Sequence, residues 1–132
     1  MCVQDSNESV RQSACAVIGD IAQTAPELVV PAWKDILGML VANVRVETEY
    51  VCNNASWAIG NLAMRLPAQM QPFAPHVMPK LVAVLNTSDI SLELVENISI
   101  SIGRLALACP SEVQPFVASF AAQWVASLRH IS

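Results

Sequence analysis

The sequence has few charged and few aromatic residues. Only 14% of its 132 residues are charged and 5% are aromatic, whereas 54% are hydrophobic. This composition excludes a disordered chain, because it supplies enough apolar material for one domain or for a slab of a larger one. The formal net charge of −4 and the scattered Lys and Arg residues argue against nucleic-acid binding and favour neutral or basic protein partners.

Long apolar runs are also missing. The longest stretches without a charged residue, 50–64 and 113–128, contain Asn, Gln or Pro and stay under about 18 residues, so the sequence predicts no transmembrane helix and no membrane partner. The N-terminal segment MCVQDSNESVRQ has neither a basic start nor an apolar run. This predicts no secretory signal and a protein of the cytosol or nucleus.

The residue patterns that catalysis or metal binding would need are absent as well. The four cysteines form no C-x-x-C pair, and Cys15, Cys52 and Cys109 fall within helical apolar patterns, so we interpret them as buried thiols. His76 and His130 have no neighbouring side chain to orient a base, and the glycines form no phosphate-binding loop. We therefore expect no enzyme, no metal site and no cofactor.

The sequence does contain an internal repeat. The stretches CAVIGDIA, SWAIGNLA and SISIGRLA align on Gly19, Gly60 and Gly103, which lie 41 and 43 residues apart. A proline follows each glycine after seven residues, and a second proline follows it after twelve. A period of about 40 to 47 residues with two helices per unit is typical of HEAT repeats, which stack into a superhelix.

Apolar residues recur at helical spacing around each glycine and after each second proline. The predicted helices lie near 8–25, 31–45, 49–66, 72–86, 91–109 and 115–130. Each helix contributes an apolar stripe to one continuous predicted core, represented by Ile18, Ile59, Ile102, Leu40, Leu81 and Trp124. The predicted fold is therefore an all-α solenoid of about three stacked hairpin layers. Because the outer hairpins are split and no polar capping repeat is evident, we interpret residues 1–132 as a single segment of a longer array.

Trp57 lies on the side of its helix that the apolar pattern leaves outside the core. At about 100° per residue it is roughly 120 to 160° away from the core residues of the same helix. Asn53 shares its side, and the next copy presents Asn97 and Ile100 there, with Ile100 in register with Trp57. These residues predict a polar surface with two apolar projections.

Two interpretations of this surface are open. Trp57 and Ile100 either fill gaps between adjacent repeats or line a groove on the concave side of the solenoid, where second helices lie about 8 to 10 Å apart. In the groove they would hold an extended peptide. Asp20, Glu49 and Glu96 would then favour basic side chains on that peptide.

Three stretches of the sequence carry a family resemblance. CNNASWAIGNLAMRLPAQMQPF and LVENISISIGRLALACPSEVQPFV, with SVRQSACAVIGDIA upstream, closely resemble the C-terminal half of karyopherin-beta nuclear import receptors of the transportin type. The resemblance implies a receptor that shuttles between cytoplasm and nucleus and binds proline-tyrosine nuclear localisation signals on this concave arch. It also implies cargo release by the Ran GTPase, bound mainly by an N-terminal arch, and nucleoporins as further partners.

The resemblance also implies which residues contact cargo. By motif they are Trp57 and Asn53 of CNNASW and Asn97 and Ile100 of ENISI, with Asp20 as an additional polar contact.

One position departs from the family pattern. Glu49 stands where the family has an apolar cargo contact, four residues before the asparagine of CNNASW, which implies a weaker apolar pocket or a preference for basic cargo. The proline-tyrosine end of a signal would dock on upstream repeats, so this segment would hold its N-terminal, basic or hydrophobic part. The alternative function is a structural HEAT scaffold that assembles other protein subunits. A passive scaffold does not need Trp57 and Ile100 outside the core, beside amides.

Overall fold

The computed structural model of the chain describes residues 5–131, apart from the side chains of 128, 130 and 131. These residues form helices and turns and contain no strand. In chain order the helices are α1 (Glu8–Thr24), α2 (Trp33–Ala42), α3 (Glu49–Arg65), α4 (Pro67–Met70), α5 (Ala74–Leu85), α6 (Leu92–Ala108), α7 (Pro110–Val113) and α8 (Val117–Ile131). The predicted all-α fold is confirmed.

The second helix of each repeat, α1, α3 or α6, ends in the same way. The residue before the first proline, Ala25, Leu66 or Cys109, has φ of −147°, −131° or −136° and ψ close to 60°, because a following proline disfavours the helical conformation. Its backbone N–H still donates to the carbonyl four residues earlier. The sequence repeat is therefore also a repeat of backbone conformation.

The first helices begin two residues later than the sequence pattern predicts. The pattern places their starts at the second prolines, positions 31, 72 and 115, whereas α2, α5 and α8 begin at Trp33, Ala74 and Val117. The preceding prolines lie in short helical turns such as Pro26–Leu28, in α4 and in α7, except Pro72, which lies in the non-helical turn between α4 and α5. Proline suits a first turn because it has no N–H to donate. Both prolines of each unit therefore precede the long helix and lie in the short turns that lead into it.

The helices stack in two layers. The second helices α1, α3 and α6 pack side by side, while α2 packs on α3, α5 packs on α6, and α8 packs on both α5 and α6. Side-chain caps fix two of the helix starts: the Asn7 side chain accepts from the Ser9 amide at 2.9 Å, and Ser91 Oγ accepts from the Leu94 amide at 3.2 Å. The result is an α-solenoid in which consecutive hairpins bury their apolar faces against each other.

Five of the six predicted core residues are fully enclosed between the two layers. These buried side chains are Ile18, Ile59, Ile102, Leu40 and Leu81. The sixth prediction is wrong in degree, because Trp124 is only partly buried. Its ring contacts Phe120 edge-on at a centroid distance of 6.1 Å, and it also lines an apolar pocket with Ile102 and Val117.

Three cysteines lie in this core. Cys15, Cys52 and Cys109 are buried free thiols, as the apolar pattern predicts; Cys2 lies outside the described residues. Burial raises the pKa of Cys15 and of Cys52 to about 11, and it also raises the pKa of Cys109. Because the thiolate is the nucleophilic and metal-binding form, these side chains act as small apolar residues at neutral pH.

Candidate functional site

The outward side of α1, α3 and α6, called here the second-helix face, carries two rows of apolar side chains. One row on α3 consists of Tyr50, Trp57 and Met64, and the other on α6 consists of Ile100 and Leu107. Residues seven apart lie about 20° apart around a helix, so each row follows one side of its helix. The exposed fractions are 65% for Tyr50, 46% for Met64, 39% for Ile100 and 76% for Leu107, and Trp57 is half-buried.

Sequence reasoning identified only Trp57 and Ile100 of these five residues. The signal for the other three was available, since Tyr50 and Met64 stand seven residues on either side of Trp57 and Leu107 stands seven after Ile100. The repeat register also places Met64 opposite Leu107, as it places Trp57 opposite Ile100. The two apolar rows are therefore in register at two successive levels of the second-helix face.

The Trp57 indole packs between two repeats and is also partly exposed. A Cβ atom added at Gly19 would lie 2.5 Å from Trp57 Cε3, so the ring rests directly against α1 where Gly19 has no side chain. The gap-filling interpretation of Trp57 is therefore part of its role. Part of the ring remains on the surface, which keeps the groove interpretation open as well.

The indole N–H groups distinguish Trp57 from the other tryptophans. Trp33 Nε1 donates to the Gln69 carbonyl at 2.9 Å, and Trp124 Nε1 donates to the Ser99 carbonyl at 2.8 Å. The Trp57 N–H makes no hydrogen bond within residues 5–131, and its nitrogen is not among the buried unpaired atoms. Indole N–H groups usually find an acceptor when enclosed, so this donor is available to a ligand carbonyl.

The two predicted amides contact each other. Asn97 Nδ2 donates to Asn53 Oδ1 at 3.0 Å, which joins α6 to α3. Asn53 is buried and Asn97 is half-buried, whereas the sequence pattern placed both on the open surface. Asn53 lies about 40° from Trp57 around α3, on the side where α6 packs, which explains its burial. Their role as cargo contacts stays a prediction.

Further polar contacts fix α3 to α6 beneath the apolar rows. Arg104 donates to Asn61 Oδ1 at 2.7 Å, and the buried Ser101 hydroxyl donates to the Ser56 carbonyl at 2.7 Å. Gly60 lies next to both residues, since an added Cβ would come within 3.2 Å of Ser101 Oγ and Arg104 Cδ. The helices of the second-helix face are thus held together by hydrogen bonds, of which the bond between Ser101 and Ser56 is buried and the others are partly buried.

Acidic side chains lie at the N-terminal ends of α3 and α6. Glu49 is half-buried and its Oε1 accepts from the Ser91 amide at 3.2 Å, at the start of α6. Glu93 is exposed and Glu96 half-buried in the first turns of α6, where the helix dipole favours negative charge. Asp20 is exposed on α1. The N-terminal ends of α3 and α6 therefore form an acidic end of the second-helix face, beside the exposed Tyr50, and Asp20 lies apart from it in the C-terminal half of α1.

Two other kinds of site, for a metal ion or for a membrane, have no support in the described residues. No group of three His, Cys, Asp or Glu side chains is placed to hold a metal ion in the described part of the chain. Within it, no helix is long and apolar enough to cross a bilayer. His76 is exposed on α5, and the side chain of His130 lies outside those described.

Comparisons with known proteins give a consistent result. The HEAT repeat family model matches residues 1–25. The chain is 40% identical over 130 residues to Transportin-1 of Homo sapiens, which covers 98% of this chain and 14% of that protein. It is 33% identical over 128 residues to Transportin of Dictyostelium discoideum, and 27% identical over 100 residues to Importin subunit beta-2 of Schizosaccharomyces pombe. The chain thus spans 14% of the length of the first of these relatives.

Proposed function

Because the chain belongs to the transportin family as a HEAT-repeat segment, we propose that it is the part of a nuclear import receptor that binds the localisation signal of a cargo protein. The observation that carries this proposal is Trp57, a half-buried aromatic in the apolar row of α3 whose N–H has no partner within residues 5–131. Aromatic side chains of this kind are typical anchors of peptide interfaces.

The proposed ligand is an extended peptide with basic and apolar side chains, namely the N-terminal part of a proline-tyrosine signal. Its apolar side chains would contact Trp57 and Ile100, and its basic side chains would meet Asp20 and the acidic end formed by Glu49 and Glu96. The exposure of Ile100 and Asp20 supports this arrangement. A carboxylate at Glu49, already oriented by the Ser91 amide, supports a preference for basic residues.

The remaining features of the proposal belong to the longer protein. Ran-GTP would release the cargo through repeats outside this chain, nucleoporins would be further partners, and the receptor would shuttle between cytoplasm and nucleus. These proposals rest on the similarity to transportins, of which the chain spans 14%.

A second candidate function has a specific observation in its favour. Asn53 is buried against Asn97, and Trp57 packs on Gly19, so part of the predicted surface serves contacts between repeats. A HEAT scaffold that assembles other subunits would use these residues for packing alone. The N–H of Trp57 favours the receptor, because it is accessible and can donate to a peptide carbonyl, which a role in packing does not require.

A peptide titration tests the proposal. We expect a synthetic peptide with alternating basic and apolar residues to bind the chain, and a control in which each Lys or Arg is replaced by Glu to bind much more weakly, because its charge opposes the acidic end. Fluorescence anisotropy measures both, at low and at physiological salt. Affinity for the basic peptide should fall with added salt, since exposed charges are screened. Equal affinity for the two peptides would contradict the proposed ligand class.

A further inference from the structure

We propose that Gly19 is a positioning residue for Trp57, setting the orientation in which the indole is presented on the second-helix face. This inference deepens the proposed function, because the ligand would meet the ring only in that orientation. Its basis is the contact between the two residues, where a Cβ at position 19 would lie 2.5 Å from Trp57 Cε3. Real Cβ atoms are not found so close to another heavy atom, so any side chain at position 19 would have to displace the ring.

Backbone conformation does not explain a glycine at this position. Gly19 lies within α1, and no described glycine has a positive φ. Alanine is the better helix former, because glycine loses more conformational freedom when it is ordered. Helix propensity therefore favours alanine at position 19. We attribute the glycine to the indole of Trp57, which occupies the space that a side chain would need.

The two glycines in register with Gly19 have different neighbours. Gly60 faces Ser101 and the flexible stem of Arg104, with an added Cβ at 3.2 Å from each, and Gly103 faces Trp124 Cζ2 at an ordinary contact distance of 3.5 Å. Only at Gly19 would the neighbour that has to move be a ring of the candidate binding surface. An indole turns as a rigid unit about two side-chain torsions, so the ring would leave this position rather than bend.

The proposal predicts opposite effects of Gly19→Ala in two backgrounds. With Trp57 present, the new methyl group clashes with the ring, and we expect a lower melting temperature. In the Trp57→Ala background the clash is gone, and we expect Gly19→Ala to raise the melting temperature, because alanine favours the helix. Gly38→Ala, in α2 with no atom within 4 Å of the added Cβ, is the matched control.

Indole resonances report the position of the ring directly. A ¹H–¹⁵N correlation spectrum of the ¹⁵N-labelled chain contains one indole N–H signal per tryptophan. The signal that disappears in Trp57→Phe is the signal of Trp57. We expect Gly19→Ala to move the Trp57 signal and to leave the Trp33 signal in place, whereas Gly38→Ala leaves both. The basic peptide should bind Gly19→Ala more weakly, by up to about thirtyfold, the loss expected on removing the indole altogether.

The outcomes separate this inference from the proposed function. A Trp57 signal unmoved by Gly19→Ala, or the same melting shift in both backgrounds, overturns the positioning role whether or not a peptide binds. Opposite melting shifts with an unchanged peptide affinity support the positioning of the ring and count against its role in ligand binding. If Gly19→Ala alone does not fold, the double variant Gly19→Ala/Trp57→Phe, with its smaller ring, should restore folding, and failure to do so also overturns the proposal.

Discussion

Trp57→Ala is expected to weaken binding of the basic, apolar peptide by about thirtyfold or more, since truncation of a hot-spot tryptophan typically costs about 2 kcal/mol or more. It should also lower stability, because part of the indole fills the space over Gly19. The stability loss should be smaller than the about 3 to 5 kcal/mol typical of fully buried tryptophans, since Trp57 is half-buried. Peptide titration and thermal melting of the same samples measure the two effects.

Controls for Trp57→Ala come from other apolar residues of the chain. Ile100→Ala should act in the same direction but less strongly, and the double variant should deviate from additivity if both side chains contact one peptide. Leu28→Ala, at an exposed position in the turn before α2 and off the second-helix face, should leave affinity unchanged. If Trp57→Ala loses no affinity, or only as much as Leu28→Ala, then the ring serves packing between repeats alone.

Leu81→Ala is expected to lower the free energy of unfolding by about 2 to 5 kcal/mol, because Leu81 is fully buried in α5 and its truncation leaves a cavity between the two layers. Denaturant unfolding followed by circular dichroism measures this change. The matched control is Leu107→Ala, the same substitution at a site that is 76% exposed, where a change within about 0.5 kcal/mol is expected.

The same pair of leucines separates stability from binding. Leu107→Ala should modestly lower the affinity for the peptide, because Leu107 belongs to the apolar row on α6. It should not destabilise the chain, because the side chain is exposed. A similar loss of stability in both variants would show that the second-helix face is not exposed to solvent, and it would contradict the two-layer arrangement.

Much of the fold was predictable from the sequence because glycine and proline recur at fixed positions in each repeat. The aligned glycines and prolines fix the phase of the helices, and helical spacing then assigns residues such as Ile59 and Leu81 to the core. The starts of α2, α5 and α8 were less predictable, because two prolines per unit offer two possible first turns. The partial exposure of Trp124 depends on how far neighbouring helices extend over α8, which its own spacing does not encode.

The sequence predicted on which side of each helix the candidate site lies. It did not predict which residues contact each other there. Helical spacing places Trp57 and Ile100 outside the core, and both are at least partly exposed. It does not state which neighbouring helix covers each flank, so the burial of Asn53 against Asn97 and the contact of Trp57 with Gly19 appear only in three dimensions. Helical spacing gives the direction in which a side chain points from its own helix. Whether that side chain is buried depends on which residues of the neighbouring helix lie in that direction.

The most direct test of the central claim is a titration of the unaltered chain with the basic, apolar peptide, followed through its indole N–H resonances. We predict that the Trp57 signal moves progressively and saturates with the Kd found by anisotropy, while the signal of Trp33, which is buried and bonded to Gln69, stays in place. Binding that leaves the Trp57 signal unmoved would contradict the claim that this surface holds the cargo peptide.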